Sequence, residues 1–424
     1  MPPFSLKMPP MYRVHQRFDD TQIEDVDAAV DEAFAACEVP LPEGKEVAIT
    51  AGSRGIANID QILKRVVHHV KEAGCIPFIV PAMGSHGGAT AEGQKEMLGE
   101  FGITEEVMGC EIRSQMEPVS LPQESCPIPV YFDHHAYHAA ATIVVNRIKI
   151  HTCFHGTYES GLVKMMAIGL GKHKQALAIH GHGTTGLVEY MPQVGKQVLK
   201  HANVLMGIGI VENAYDQTRH VEAIPADRIL EEEPRLLEMA RANMPSLPLD
   251  DIDIAVVDRM GKNISGTGMD GNLLGRLGVP DFPDPPTPRI RVVVVRDLTT
   301  ESHGNALGVG LADIATRKLF DKIDFKPVHE NLYTSTYLPR GKIPVICETD
   351  WECMAFAARC ITSTENCDLR IVRMDSTLHV GELHVSQAVL HELDGVSGIT
   401  DVEKITGNYF DSSGEVCPLH SSKS

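Results

Sequence analysis

Apolar residues in this chain fall into short runs that alternate with helix-spaced stretches. Residues 45–50 (KEVAIT) have the length and make-up of a strand, and the turn AGSRG follows. Across residues 59–73, Ile62, Leu63, Val66, Val67 and Val70 recur at intervals of three and four, which puts them on one face of an amphipathic helix. Residues 75–80 predict a second strand, PAMGSHGGAT a loop, and residues 90–100 a second helix. Residues 142–145 predict a further strand that leads into NRIKIH. Strands separated by helices imply a parallel sheet.

The alternation breaks at PSLPLDD (245–251), after an acidic helical stretch over residues 231–242. It restarts with strands over 252–257, 290–295, 345–347 and 369–372, and PDFPDPPTP (280–288) is a proline-rich connection within this half. The expected fold is therefore α/β, with two α/β domains of mainly parallel sheets over residues 1–248 and 249–424. Ligands in such sheets bind beyond the carboxyl ends of the strands, which singles out the loops 51–58, 84–90, 146–164 and 259–272. Those loops are expected to face one another across an interdomain cleft.

Composition narrows the function classes. At 424 residues the chain exceeds one ordinary core, and 43% hydrophobic with 22% charged residues marks an ordered globular protein. A formal charge of −19 disfavours nucleic acid and anionic membrane as partners, while a locally positive pocket still admits an anionic small molecule. MPPFSLKMPPMYRV lacks the apolar run of a signal peptide, and no segment reaches the ~18 apolar residues of a membrane span. The ten cysteines are scattered without a CxxC pair. A cytoplasmic protein with reduced thiols is the expectation.

The chemistry concentrates between residues 131 and 182, which hold eight of the twenty histidines. His134, His135 and His138 lie in a polar helix-like run and read as surface residues, and His180-Gly-His182 is too short a pattern to define a metal site alone. Lys164 stands in an apolar stretch, GLVKMMAIGL. Such a lysine either snorkels to solvent or has a chemical role, because desolvation lowers its pKa and frees the amine for covalent chemistry. GSHGGAT (84–90) joins a strand to a helix, so its glycines let backbone approach a ligand while His86 reaches the same edge. GSRG (52–55) sets Arg54 at an equivalent edge, either for an anion or as an exposed arginine. The second half offers the glycine-rich GKNISGTGMDGN (261–272), which is neither a Walker loop nor a GxGxxG fingerprint.

These residues resemble the nickel-pincer-dependent lactate racemase family and its wider circle of hydroxyacid racemases and epimerases. The resemblance is strongest over residues 45–183, and most specific from His151 through Ser160-Gly161 and Lys164 to His180. It implies an isomerase that passes a hydride reversibly between a 2-hydroxy acid and a nickel-pincer nucleotide (pyridinium-3-thioamide-5-thiocarboxylic acid mononucleotide). By position, Lys164 is similar to the lysine that carries this cofactor, His180 to the nickel ligand, and His86 and His151 to the two acid/base histidines. Ser53, Arg54, Gly87 and Gly88 fall at the family's cofactor-binding turns.

The chain also departs from the family pattern. Ala51 and Gly55 replace an acidic residue and a proline in the first turn, and Gly87-Gly88 replace Arg-Pro. The stretch from His151 to Lys164 is longer than in lactate racemase, so His155 competes with His151. Gly275 and Gly278 stand where a lactate-binding Gln and Lys are expected, which points away from lactate. Lys262, Asn263 or Arg276 would then bind the substrate anion. The alternatives are an enzyme on the same scaffold that uses NAD or zinc, and a non-catalytic binder of an organic acid or nucleotide.

Overall fold

The structure is a computed structural model that describes residues 6–53, 55–280, 282–361 and 368–419. It divides into two compact units, Asp19–Met244 and Met1–Phe18 with Pro245–Ser424. Both are α/β, with mainly parallel sheets. Among the described residues no helix is long and apolar enough to cross a membrane.

Strands are numbered along the chain. β1 (Met11–Gln16) belongs to the second unit. The first unit contains β2 (Glu46–Ala51), β3 (Ile76–Pro81) and β4 (Glu111–Ile112), then the separate pair β5 (Val119–Leu121) and β6 (Val130–Phe132). β7 (Ala141–Arg147), β8 (Val204–Glu212) and β9 (Thr218–Pro225) complete it. The main sheet runs β4-β3-β2-β7-β8-β9, and its neighbours are parallel except for β8 and β9. EVAITA and IPFIVP are nearly unbroken apolar runs because a parallel strand inside such a sheet is covered on both faces. The helix Ile59–Glu72 buries Ile62, Leu63, Val66, Val67 and Val70 in the cluster that also holds Val47, Ile49 and Ile79.

The chain leaves β2 toward β3 on one side, then returns to place β7 and β8 on the other. The strand order thus reverses between β2 and β7. At such a switch point the carboxyl-end loops diverge and leave a crevice. The loops after β2 and β7 flank it, and the loop after the adjacent β3 carries His86.

Beyond the loop after β7 the chain turns into helices. The Leu162–Lys164 turn continues as a π-helical stretch, Met165–Gly169, and Lys172–His180 follows as an α-helix. A second π-helical stretch, Gly186–Tyr190, precedes the helix Met191–His201. Single π turns inside helices cluster at functional sites. The corner between the first two segments is Lys172, at φ 57°, a left-handed conformation that costs an L-residue roughly 1–2 kcal/mol. Its side chain has no exposed surface. Nζ lies 2.8 Å from Oδ2 of the equally buried Asp133 and donates to the carbonyl of Pro81, the last residue of β3. Asp133 Oδ1 accepts from Ala136 N at 2.8 Å.

The second unit contains β10 (Asp251–Met260), β11 (Arg289–Leu298), β12 (Ile314–Thr316), β13 (Val345–Cys347), β14 (Ile371–Met374), β15 (Glu382–Ser386) and β16 (Ile399–Lys404). Its sheet runs β13-β12-β11-β10-β14-β15-β1-β16, parallel from β13 to β14 and antiparallel beyond. β1 therefore lies between β15 and β16. The chain enters this unit twice, and the N-terminal segment that a 248/249 boundary assigns to the first domain supplies a strand of the second unit's sheet.

Substituting one partner of a buried ion pair leaves the other charge unmet. Lys172→Met is expected to destabilise the first unit by about 3–5 kcal/mol, with Lys172→Met/Asp133→Leu recovering most of that loss. Urea unfolding of the full chain measures both; equal loss in the single and double variants would show that the pairing is not what matters.

Candidate functional site

The loop after β3 is fixed from within. His86 Nδ1 donates to Met83 O at 2.8 Å, with Ser53 Oγ of the loop after β2 at 3.1 Å. In the neutral ring the hydrogen therefore sits on Nδ1 and the lone pair on Nε2. The buried Gln94 side chain donates to Gly84 O and His86 O at 3.1 and 3.2 Å. Gly87 and Gly88 both have φ 64°. A β-carbon at Gly87 would overlap the backbone of Gly93 and Gln94, whereas one at Gly88 meets open space. The glycine at 87 thus serves packing of the loop on the helix Ala91–Glu100, and only Gly88 leaves its backbone open to a ligand. Arg54 lies outside the described residues.

Lys164 is half-buried at the end of its helical turn. His180 ends the helix Lys172–His180 and is exposed to solvent. Partial desolvation by neighbouring protein, followed by the positive charges of Lys164 and His86, pushes its imidazole down to about 4. At neutral pH it is an uncharged ring with a lone pair to offer. His182 packs edge-on against Tyr190, ring centroids 5.1 Å apart. Among the described residues no group of three or more His, Cys, Asp or Glu side chains is arranged to hold a metal. A metal on His180 would take its remaining ligands from a bound cofactor.

The excursion from β7 is closed by reciprocal backbone hydrogen bonds between Lys149 and Ser160, at 2.7 and 3.2 Å. Inside it the fully buried Glu159 accepts from His151 N at 2.6 Å, contacts His155 Nδ1 at 3.3 Å, and meets Arg241 Nη2 at 3.2 Å. His151 Nδ1 accepts from Cys153 N at 3.1 Å, so its neutral ring carries hydrogen on Nε2, and the ring packs against Phe154. His155 Nδ1 faces the carboxylate, which leaves its neutral lone pair on Nε2. His86 and His151 are thus held in opposite tautomers.

In the second unit Lys262 Nζ donates to Gly266 O at 2.8 Å, and Asn263 Oδ1 accepts from Thr299 Oγ1 at 2.7 Å. Arg276 is committed elsewhere. Its guanidinium pairs with Asp313 at 2.6 Å and donates to the carbonyls of Leu311, Ile290 and Arg291, so anion binding by Arg276 is not what this geometry provides. Gly275 and Gly278 have φ 64° and 61°, and a β-carbon at Gly275 would overlap Pro288 O. Both positions are built for glycine.

Pattern reading missed four residues of the first unit. Lys172 and Asp133 are ordinary polar letters in sequence, and Glu159 lies in the 146–164 loop among histidines that drew the attention instead. Glu233 carried a usable signal. With Ile229, Leu236, Leu237 and Ala240 it follows helical spacing along one buried face, an acid within an apolar stripe. Burial pushes its carboxyl up to about 7, against the backbone N–H groups of Val163 and Leu162 that favour the charged form.

Fold and site together define a two-unit α/β protein whose first unit gathers a lysine, a neutral histidine and an exposed histidine at the carboxyl end of a parallel sheet. No family model and no curated protein matches the chain. Among solved structures it is similar to the lactate racemase apoprotein from Thermoanaerobacterium thermosaccharolyticum, at 14% identity over 89% of this chain and 86% of that one, with a TM-score of 0.44. A Thermotoga maritima protein solved as a structural-genomics target is similar at 12% identity over 64% of this chain and 70% of that one, with a TM-score of 0.46. Likeness at this level carries no argument about activity.

Two predictions follow from the geometry. Gly88→Ala is expected to cost about 1 kcal/mol, for its φ alone, and Gly87→Ala clearly more because the backbone of the next helix is in the way; equal losses on denaturant unfolding would refute the difference. The second concerns Glu233, whose folded carboxyl titrates near 7 against an ordinary 4.5. Its contribution is complete below the ordinary value and is lost as pH rises through 7. Stability of the native chain is expected to fall between pH 5 and pH 8 by on the order of 3 kcal/mol more than that of Glu233→Gln. Parallel stability profiles for the two proteins would refute it.

Proposed function

We propose that the protein is a racemase or epimerase of a 2-hydroxy acid other than lactate, with a nickel-pincer nucleotide carried on Lys164 and ligated through its metal by His180. The observation that carries this reading is the placement of Lys164 at the end of its helical turn and of His180 at the end of the α-helix that follows, near enough for the lysine's charge to act on the ring. The family motif, a histidine sixteen residues after its lysine, names the same residues. An imidazole held uncharged at neutral pH suits a divalent nickel ion, and a half-buried amine suits covalent attachment. When bound, the group supplies a reversible hydride acceptor for the carbon that bears the hydroxyl.

The chain's own part is proton transfer and orientation. Inversion requires a base for the hydroxyl proton and an acid that returns a proton on the opposite side. His86, with Nδ1–H donated to Met83 O, would take the hydroxyl proton on Nε2. His151 would return a proton from its imidazolium form, because the neutral ring that accepts from Cys153 N–H is a base and not an acid. His155, with its buried carboxylate partner, is the alternative to His151 for a proton-handling role. In the second unit, Lys262 and Asn263 remain as candidates for the substrate anion. The glycine geometry at 275 and 278 supports a substrate other than lactate, since neither place suits a longer side chain.

Expression of the full chain beside the cofactor's biosynthetic enzymes tests the reading by peptide mass and metal content. A covalent mass increase on the peptide containing Lys164 and one equivalent of nickel are expected. Lys164→Ala should abolish the adduct, whereas His180→Ala should keep it and lose the metal. An unmodified Lys164 under these conditions would overturn the proposal.

A further inference from the structure

The helix Ile229–Ala242 is joined to the His151–Lys164 segment by polar contacts at three points. Near its end, Arg241 meets Glu159 at 3.2 Å. Near its start, Pro234 has no N–H to give to the carbonyl four residues before it, and that carbonyl, Leu230 O, accepts instead from the Tyr158 hydroxyl at 2.7 Å. Between the two, Glu233 Oε2 accepts from Val163 N at 2.8 Å and is further held by the N–H of Leu162.

This third contact differs from the helix starts that are capped locally. Asp25, Thr90, Thr104, Thr316, Thr349 and Ser386 each cap the helix that follows them with their own short side chain. At the start of the Lys164 turn the capping position is Gly161, which has no side chain, and the acceptor comes from another helix, 70 residues beyond Val163. A β-carbon at Gly161 would overlap Glu233 Oε1. The Gly161 carbonyl is itself taken by Asn146 Nδ2 at 2.8 Å and Met165 N at 3.0 Å. The peptides that lead into Lys164 are thus held on both sides, and a local Ser or Thr would have satisfied the same N–H without burying a carboxyl.

We infer that Glu233 is the positioning residue for Lys164, fixing through the amides of Leu162 and Val163 the turn from which that lysine's amine is presented to its covalent partner. The inference rests on the reading of Lys164 as the attachment point. Asn146 and Gly161 complete the clamp, the first by holding the carbonyl and the second by leaving room for the acid.

Limited acetylation of the full-length chain, expressed without the cofactor enzymes, tests this by peptide mass. The readout is the labelling ratio of Lys164 to Lys64, an exposed lysine on the helix Ile59–Glu72. Glu233→Ala is expected to change the ratio by about fivefold or more, while Glu233→Gln, which keeps an oxygen for Val163 N–H, stays within about twofold of the native value. A native ratio in folded Glu233→Ala would overturn the inference. If that variant does not fold, Glu233→Asp decides, because it keeps the charge but withdraws it by one methylene; a native ratio there overturns the inference too. The assay uses the unloaded chain, so a missing natural adduct would defeat the proposed function and leave this ratio readable. An unchanged ratio with the adduct present would defeat only the role of Glu233.

Discussion

An ammonium and a carboxylate that share no surface with water must meet before the chain around them can close. Lys172 and Asp133 do so beneath the loops of the first unit, and the ammonium adds the carbonyl that ends β3. The pair joins the polypeptide before β7 to the corner between two helical segments. His86 leaves β3 five residues after that carbonyl, and His180 lies two turns beyond that corner. The positions of both histidines thus depend on one buried attraction, whose partners have no good alternative in the interior.

The rest of the site follows the same logic of buried polar groups meeting fixed partners. Glu159 gathers an amide, a histidine and an arginine; Glu233 gathers two amides; Gln94 gathers two carbonyls. Each bond removes freedom from a short backbone segment that carries one chemical group. The sheet contributes the place, since the strand order reverses between β2 and β7. The buried acids and amides contribute the orientation, which a switch point alone does not supply.

Much of the architecture is legible in the sequence because it is periodic. EVAITA, IPFIVP and the face Ile62-Leu63-Val66-Val67-Val70 declare themselves by spacing, and both sheets are expected to be mainly parallel. Lys164, His180 and His86 stand out by residue type in unusual surroundings. Lys172 does not, since nothing in GKHKQA announces a buried corner at positive φ. Glu233 is hidden inside three consecutive glutamates, and only its phase with Ile229, Leu236 and Leu237 separates it from its solvated neighbours. Arg276 misled in the other direction: an arginine beside a glycine-rich loop suggests an anion, but carbonyls distant in sequence occupy it. Contacts of that kind leave no local trace.

The placement of β1 has a bearing on how the molecule is made. Met11–Gln16 leaves the ribosome long before both strands that flank it, Glu382–Ser386 and Ile399–Lys404. The first unit has all its strands long before then and is free to close early. β1 must wait, unpaired, until those strands emerge, and the second sheet gains its final neighbours only when segments far apart in sequence meet. Such long-range pairing folds slowly. The interval in which an exposed edge invites the wrong partner is therefore set by the second unit, not by the one that carries the lysine.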